Sequence, residues 1–471
     1  MTCAPAWGER IHRYAISVDR ELSVLSVRAC FAGAAPSELV AESLDASAAL
    51  IEARVEGARR ALEPNGTELR LKEIGQDACL AYSVNLRKGG GRHDRSGNRN
   101  RMIGHDLMTS AGLWLWRPEQ LGAGEDIEVT FELPEGLAVS APWQPVNLGA
   151  GHTVFRVGHT PYDWPASVVF GRFREREFQV GGARLRLAVL DGAPPADAQQ
   201  LQAWLSDAAE MVAQLYGRFP VSHAQLIVAP GAKGDEPTPW AYVVRGGAPA
   251  AHFFVNQRRP IQEFYDDWTA VHELSHMLLP YVVSEDVWLA EGVATFYQNV
   301  FRARAGRMSA EEAWEKFHAG FRRGREGAGG MTLTQATENM HRGGHYMRVY
   351  WEGTALMLLA DVRLRQMTGN KQSLDSALTG LAECCLPSNE PWTARQLFSK
   401  LDEITGTTVF DELYQSHVAS REFPDLSHAY RQLGLVAHDA QIGFLPDAAF
   451  ANLRDAIMGP RSGSPLAESA H

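Results

Sequence analysis

The sequence predicts a multidomain α+β protein: an N-terminal β-rich domain, a mixed α/β middle and a helical C-terminal region. Three observations carry this. The chain has 471 residues, more than one ordinary hydrophobic core organises, so two or three domains are expected. Apolar and polar residues alternate with period two in segments between residues 10 and 190. From about residue 262 to 440 the apolar residues recur at helical spacing instead.

In chain order, Leu22 to Arg28, Ile127 to Leu133 and Ala183 to Leu190 alternate as half-buried strands, punctuated by Gly and Pro. Lys88 to Arg101 is basic and Gly-rich and reads as a solvated hairpin loop. After Pro194 and Pro195 the period changes. Leu201, Trp204, Leu205, Ala208, Met211, Val212 and Leu215 lie at helical spacing, and Gly217 and Pro220 end that helix. Gln225 to Ala229 and Ala251 to Val255 read as two further strands. Gly459 to His471 is poor in apolar side chains and is expected to be disordered. Boundaries are expected near 190, 305 and 440, with 441–471 a largely disordered tail.

Charge and composition exclude some functions. The formal net charge is -11, and a chain this acidic is a poor phosphate-backbone binder, so no nucleic-acid partner is expected. No run of about 18 apolar residues exists, so no membrane span is expected. The N-terminus lacks a basic start followed by an apolar stretch, so no secretory signal is expected. The five cysteines are Cys3, Cys30, Cys79, Cys384 and Cys385. An odd count with two adjacent reads as free thiols, and the expected location is the cytoplasm.

Chemistry concentrates at residues 272 to 276, His-Glu-Leu-Ser-His. Positions four apart share one helical face, so His272 and His276 can reach one ion with Glu273 beside it. Zinc suits such a set, because a catalytic zinc takes three nitrogen or oxygen ligands and keeps one position for water. Glu273 is then the group that takes a proton from that water. Asp266 and Asp267 are expected in the first turn of the helix, and Pro280 stops it. Downstream, Trp288-Leu-Ala-Glu-Gly292 places Glu291 fifteen positions after His276. A turn over Pro280 to Asp286 would let a second helix fold back and present Glu291 as the third ligand. Thr295, one turn further on, is a candidate to hydrogen-bond a ligand.

These two segments together resemble the gluzincin zinc peptidases: aminopeptidase N-like enzymes and, more closely, the glycyl aminopeptidase family, whose members often carry a PDZ domain. Val349 to Leu358 resembles that family's helix with a catalytic tyrosine. Arg363 to Gly369, Ser373 to Asp375, Phe410 to Val418 and Leu433 to Leu435 continue the resemblance. It implies an N-terminal β domain (1–190), a thermolysin-like α/β catalytic domain (191–305) and a helical domain completing the site (306–440). It also implies one zinc per chain, a peptide substrate, and Tyr350 as a hydrogen-bond donor to the oxyanion. Tyr346, Val349, Tyr350, Gly353, Met357 and Ala360 line one helical face, so Tyr350 can point inward; Tyr346 is the reserve candidate.

The chain departs from that pattern in three places. The interval between His276 and Glu291 is short. The residues after Leu435 are too few for a PDZ domain. The segment Arg245 to His252, where relatives hold the substrate's α-amino group with a glutamate, has no carboxylate. Endopeptidase and exopeptidase modes therefore stay open. One alternative is an aminopeptidase that recruits Glu352 or Glu285 for the amine. A different class of reading is a peptide-binding pseudoenzyme that keeps the fold without turnover.

Overall fold

The computed structural model describes residues 10–459 apart from 60, 72–73, 89–99, 148–152, 159, 161–165, 328, 389 and 440. It has the expected mixed α+β, multidomain organisation. Strand Arg10–Val18 is the middle of a seven-stranded sheet, antiparallel to Val24–Cys30 and parallel to Glu125–Glu132. Its period of two sends Tyr14 and Ile16 into a core with no exposure. A four-stranded sheet containing Ser167–Gly171 packs on the same core, together with Trp114, Trp116 and Trp143. Most of the basic segment Lys88 to Arg101 lies outside the described residues.

The cysteine expectation is corrected here. Cys30 and Cys79 are register partners on adjacent antiparallel strands and form a disulfide, and Cys384 is joined to Cys385. Forty-nine positions separate the first pair, so sheet register alone brings those two together. The cysteine argument for a reducing compartment falls with it. Cys3 lies outside the described residues. Among the described residues, no helix is long and apolar enough to cross a membrane.

The expected boundary at 190 also moves. Arg176–Val180 and Ala183–Val189 form a hairpin in a second, five-stranded sheet, not in the N-terminal one. The order continues with His223–Pro230, Ala250–Val255 and, at the edge, Trp240–Val244. Alternation reads the same in either sheet, so the pattern could not say which one Ala183 to Leu190 would join. The edge strand Trp240–Val244 went unseen because its residues are mostly half-exposed and do not alternate.

Helix Ala198–Ala213 covers one face of this sheet. Asp197 caps it by accepting from the backbone of Gln199 and Gln200. Leu201, Trp204, Leu205 and Val212 bury against Leu185, Leu226 and Phe253. Each large apolar side chain buried this way contributes ~1.5–3 kcal/mol.

Helices fill the C-terminal half, as expected, and share one apolar cluster with the five-stranded sheet, running from Val180 to Met458. The expected disordered tail is therefore too long. Gln441–Phe444 pairs with Leu435–His438, and helix Ala451–Met458 buries Leu453 and Ile457 one turn apart. The Arg304 side chain donates to the Ile457 carbonyl at 3.1 Å. Residues 460–471 lie outside the described residues.

One helix contact positions the segments bearing Glu291 and Tyr350 relative to each other. Val287–Arg304 and Tyr346–Thr368 cross where Gly292 meets Gly353. A Cβ on Gly353 would lie 2.3 Å from the Trp288 carbonyl oxygen and 2.9 Å from the Gly292 Cα. These neighbours are helical backbone and cannot swing aside. Gly353→Ala is expected to lower stability by about 1–3 kcal/mol, despite the better helix propensity of alanine. Denaturant midpoints of the two proteins measure this.

Candidate metal centre

The histidine-bearing helix is Thr269–Ser275, and every residue in it is buried. Asp266 and Asp267 do not occupy its first turn, contrary to the expectation from the sequence. Asp266 ends the preceding helix, Ile261–Asp266, and Asp267 is extended. Asp267 instead forms a side-chain turn just before the helix: its Oδ1 accepts from the Thr269 amide at 2.9 Å and hydroxyl at 2.8 Å. The helix tightens into a 3₁₀ turn, His276–Leu278, before Pro280. The His272 and His276 rings stand perpendicular with centroids 4.9 Å apart.

The short interval to Glu291 closes through a held turn. Val283 N–H donates to the Trp392 carbonyl at 3.0 Å, and Trp392 N–H donates to the Tyr281 carbonyl at 2.8 Å. Asp286 accepts from the Ala394 amide at 2.8 Å. The next helix, Val287–Arg304, then returns Glu291 to the histidines. Glu291 Oε2 is 3.2 Å from His272 Nε2 and 3.5 Å from His276 Nε2. The three donor atoms lie within 4.8 Å of one another. Tetrahedral zinc ligands at ~2.0–2.2 Å from the ion are themselves about 3.3–3.6 Å apart, so both separations fit a zinc ion, and so does the nitrogen and oxygen donor chemistry.

Thr295 does not support the ligands; its buried hydroxyl has no partner among the described residues. That role falls to Gln298, whose Oε1 accepts from His272 Nδ1 at 2.8 Å. The bond turns His272 Nε2 toward the ligand set. Gln298 is two helical turns beyond Glu291, so an i, i+7 search along the carboxylate's face would have found it.

Tyr350 lies over the same set. Its ring stacks on His272 at 5.9 Å between centroids, and it lines the same cavity as Glu291. Burial, reinforced by Glu291 and Glu273, pushes its pKa up, so it stays protonated. Tyr346 sits one turn away and is bonded instead to His341 Nδ1 at 2.9 Å.

Burial is the largest influence on every titrating group here. It pushes Glu273 up to about 7, with His272 and Arg245 opposing. It pulls His276 down to about 3. For Glu291, burial is outweighed by His276, His272 and Arg245, and the carboxyl falls to about 2. His272 is raised overall, because Glu291, Glu273 and Gln298 together outweigh the burial that lowers it. The surroundings thus favour an ionised Glu291 and a neutral His276, the forms that bind metal, and the charged form of His272.

These groups form the floor of a cavity of about 1170 Å³ whose wall includes the edge strand Trp240–Val244. The expected amine anchors are not there. Glu352 is fully buried in an ion pair with Arg348, and Glu285 is exposed on the turn Ser284–Asp286. The cavity's other carboxylates are Glu236 and Glu338, both exposed. Sequence reasoning also missed Arg245 as a cavity residue, although it opens the very segment that lacks a carboxylate.

In sequence, the chain matches no known family and no curated protein. In fold it is similar to M1 zinc aminopeptidase N family proteins. An aminopeptidase N family protein from Idiomarina loihiensis gives a TM-score of 0.68 at 15% identity, over 90% of this chain and 78% of that one. An M1 zinc metallopeptidase from Deinococcus radiodurans gives 0.58 at 15% identity, over 89% of this chain and 95% of that one. A mutant of the Deinococcus radiodurans enzyme, with a TM-score of 0.57 at 15% identity over the same shares, is bound to a Tyr-Ser-Ala substrate. At such identities the likeness is one of fold: mixed α+β, with a helical C-terminal region.

Gln298→Ala is expected to weaken zinc binding about 10- to 100-fold, because His272 loses the bond that orients it. Competition with a chromophoric chelator measures the change.

Proposed function

We propose that the chain is a zinc-dependent metallopeptidase, with His272, His276 and Glu291 holding the metal, Glu273 as general base and Tyr350 as oxyanion donor. One observation carries the reading: three nitrogen and oxygen donors converge within 4.8 Å on the floor of an open cavity. Glu273 and Tyr350 line the same cavity. Residues 191–305 supply the ligands and the base, and the helical region 306–440 completes the site with Tyr350. The M1 fold supports the same reading, and a neighbour's bound tripeptide makes a peptide the natural substrate class.

When bound, zinc supplies a Lewis acid that acidifies water and polarises a carbonyl group. The chain's own residues do the rest. Glu273 accepts the proton that water loses as its oxygen bonds to the carbonyl carbon. With a pKa of about 7 before metal binding, its carboxyl is matched to taking and giving a proton near neutrality. Tyr350, held protonated, donates to the oxygen on which charge develops. Glu273 then passes its proton to the amide nitrogen as the carbon–nitrogen bond breaks, releasing an amine and a carboxylic acid. The free edge of Trp240–Val244 offers backbone donors and acceptors to an extended peptide.

Two substitutions test this on a peptide found by mass-spectrometric screening of a peptide library with the zinc-loaded protein. Glu273→Gln is expected to keep the zinc and lower kcat by ~10²- to 10⁴-fold. Cleavage at the parent rate would remove Glu273 from the mechanism. Tyr350→Phe keeps the ring and its packing, so kcat should fall by ~10²- to 10³-fold with KM nearly unchanged. An unchanged kcat would leave Tyr350 a packing residue. A zinc-loaded protein that cleaves nothing in the library would leave the binding-only reading.

A further inference from the structure

Arg245 is the first residue beyond the edge strand Trp240–Val244, and it lines the metal cavity with His276, Glu273 and Glu291. The residue is half-buried. One of its nitrogens, Nη1, donates to the His276 carbonyl at 3.1 Å. Among the described residues, no carboxylate pairs with it within 4.0 Å. Glu291 and Glu273 are the carboxyl groups whose fields reach it, with the Tyr281 hydroxyl beside them. In the peptidase reading, Glu291 is committed to the metal and Glu273 to the proton. A guanidinium carries five N–H donors in a planar fork, so most of this fork remains for a ligand. A half-buried cation without a paired anion is costly unless something compensates it.

The other charged groups of the cavity are placed differently. Arg101 lies over the Phe254 ring at 4.8 Å and the Trp240 ring at 5.9 Å. Arg342, Glu236 and Glu338 are exposed, where water screens them. In the zinc-loaded protein the dication offsets Glu291 and Glu273, so Arg245 leaves the surroundings of the donor set net positive. A substrate ammonium brought there would be repelled. A carboxylate would be attracted and would match the fork with two parallel hydrogen bonds. An extended peptide paired along Trp240–Val244 reaches Arg245 where the strand ends.

We infer that Arg245 is a specificity-determining residue that binds a substrate carboxylate beside the metal, so that this site selects peptides by an acidic group rather than by a free α-amine. The carboxylate is a peptide C-terminus or an Asp or Glu side chain. The inference rests on the peptidase reading for the substrate's backbone, but it concerns binding and can be tested without turnover.

The experiment is calorimetric titration of the zinc-loaded Glu273→Gln protein with N-acetylated alanine pentapeptides containing one Phe. One arm compares the free C-terminal acid with its carboxamide. A second compares carboxamides carrying one Glu with those carrying one Gln, at each position in turn. A third compares free with acetylated amino termini. In one of the first two arms the acidic form is expected to bind at least about tenfold tighter, and which arm responds identifies the carboxylate. Arg245→Gln should abolish that ratio and Arg245→Lys should retain part of it, while loss of a purely structural contact would weaken both forms alike. Equal affinities in both arms, a ratio that survives Arg245→Gln, no peptide binding at all, or a preference for the free amine alone would each overturn the inference. If Arg245→Gln does not fold, the parent's ratios and Arg245→Lys still decide. Loss of the peptidase reading would show differently: the acid preference would remain while the unsubstituted zinc-loaded protein cleaved nothing.

Discussion

The contact between Gly292 and Gly353 sets the distance on which the candidate site depends. Two helices approach there with no side chain between their backbones. Glu291 precedes one glycine, and Tyr350 lies three residues before the other. The crossing therefore carries a carboxylate and a hydroxyl to the same cavity. A third helix, Thr269–Ser275, and the 3₁₀ turn that continues it present His272 and His276 to that pair. The ligand-bearing turn is held from the side by the segment around Trp392 and Ala394. The site is thus a product of close helix packing in the core shared by the sheet and the helical half. Its geometry is only as good as that packing, because an interior at crystal-like density transmits small shifts.

Electrostatics follow from the same burial. Placing two imidazoles and two carboxylates out of water would ordinarily neutralise the acids. Here Glu291 stays ionised because His276, His272 and Arg245 surround it, whereas Glu273, in the same buried setting, is raised to about 7. The two carboxyls are thereby set apart by their neighbours rather than by their residue type, as the proposed roles of ligand and proton carrier require. The Gln298 bond to His272 does for the ring what the glycine contact does for the helices: it removes a freedom that a ligand would otherwise have to restrict.

Local periodicity made part of this legible in the sequence. His272, Glu273 and His276 share a helix, and the Trp288 to Gly292 segment comes soon after, so spacing alone brought the candidate donors together. Tyr350 was reachable through its helical face and the family resemblance. The features that escaped depend on contacts distant along the chain. The Cys30–Cys79 pair needed sheet register, and the membership of Ala183 to Leu190 needed knowledge of two sheets with one pattern. Arg245 reaches the centre only because the edge strand ends beside His276. Thr295 was chosen for its spacing of one turn, and the bond went to Gln298 at two turns, where the side chain is long enough to meet the ring. Leu453 and Ile457 carry a helical signal, but the polar stretch beyond them hid it.

The most direct measurement is the position of the metal itself. A crystal structure of the protein loaded with one equivalent of zinc, with anomalous data at the zinc edge, places the ion without assumption about chemistry. The account predicts a single anomalous peak per chain between His272 Nε2, His276 Nε2 and the Glu291 carboxylate, at ~2.0–2.2 Å from each. A peak elsewhere, or zinc on the histidines with Glu291 turned to solvent, would contradict it.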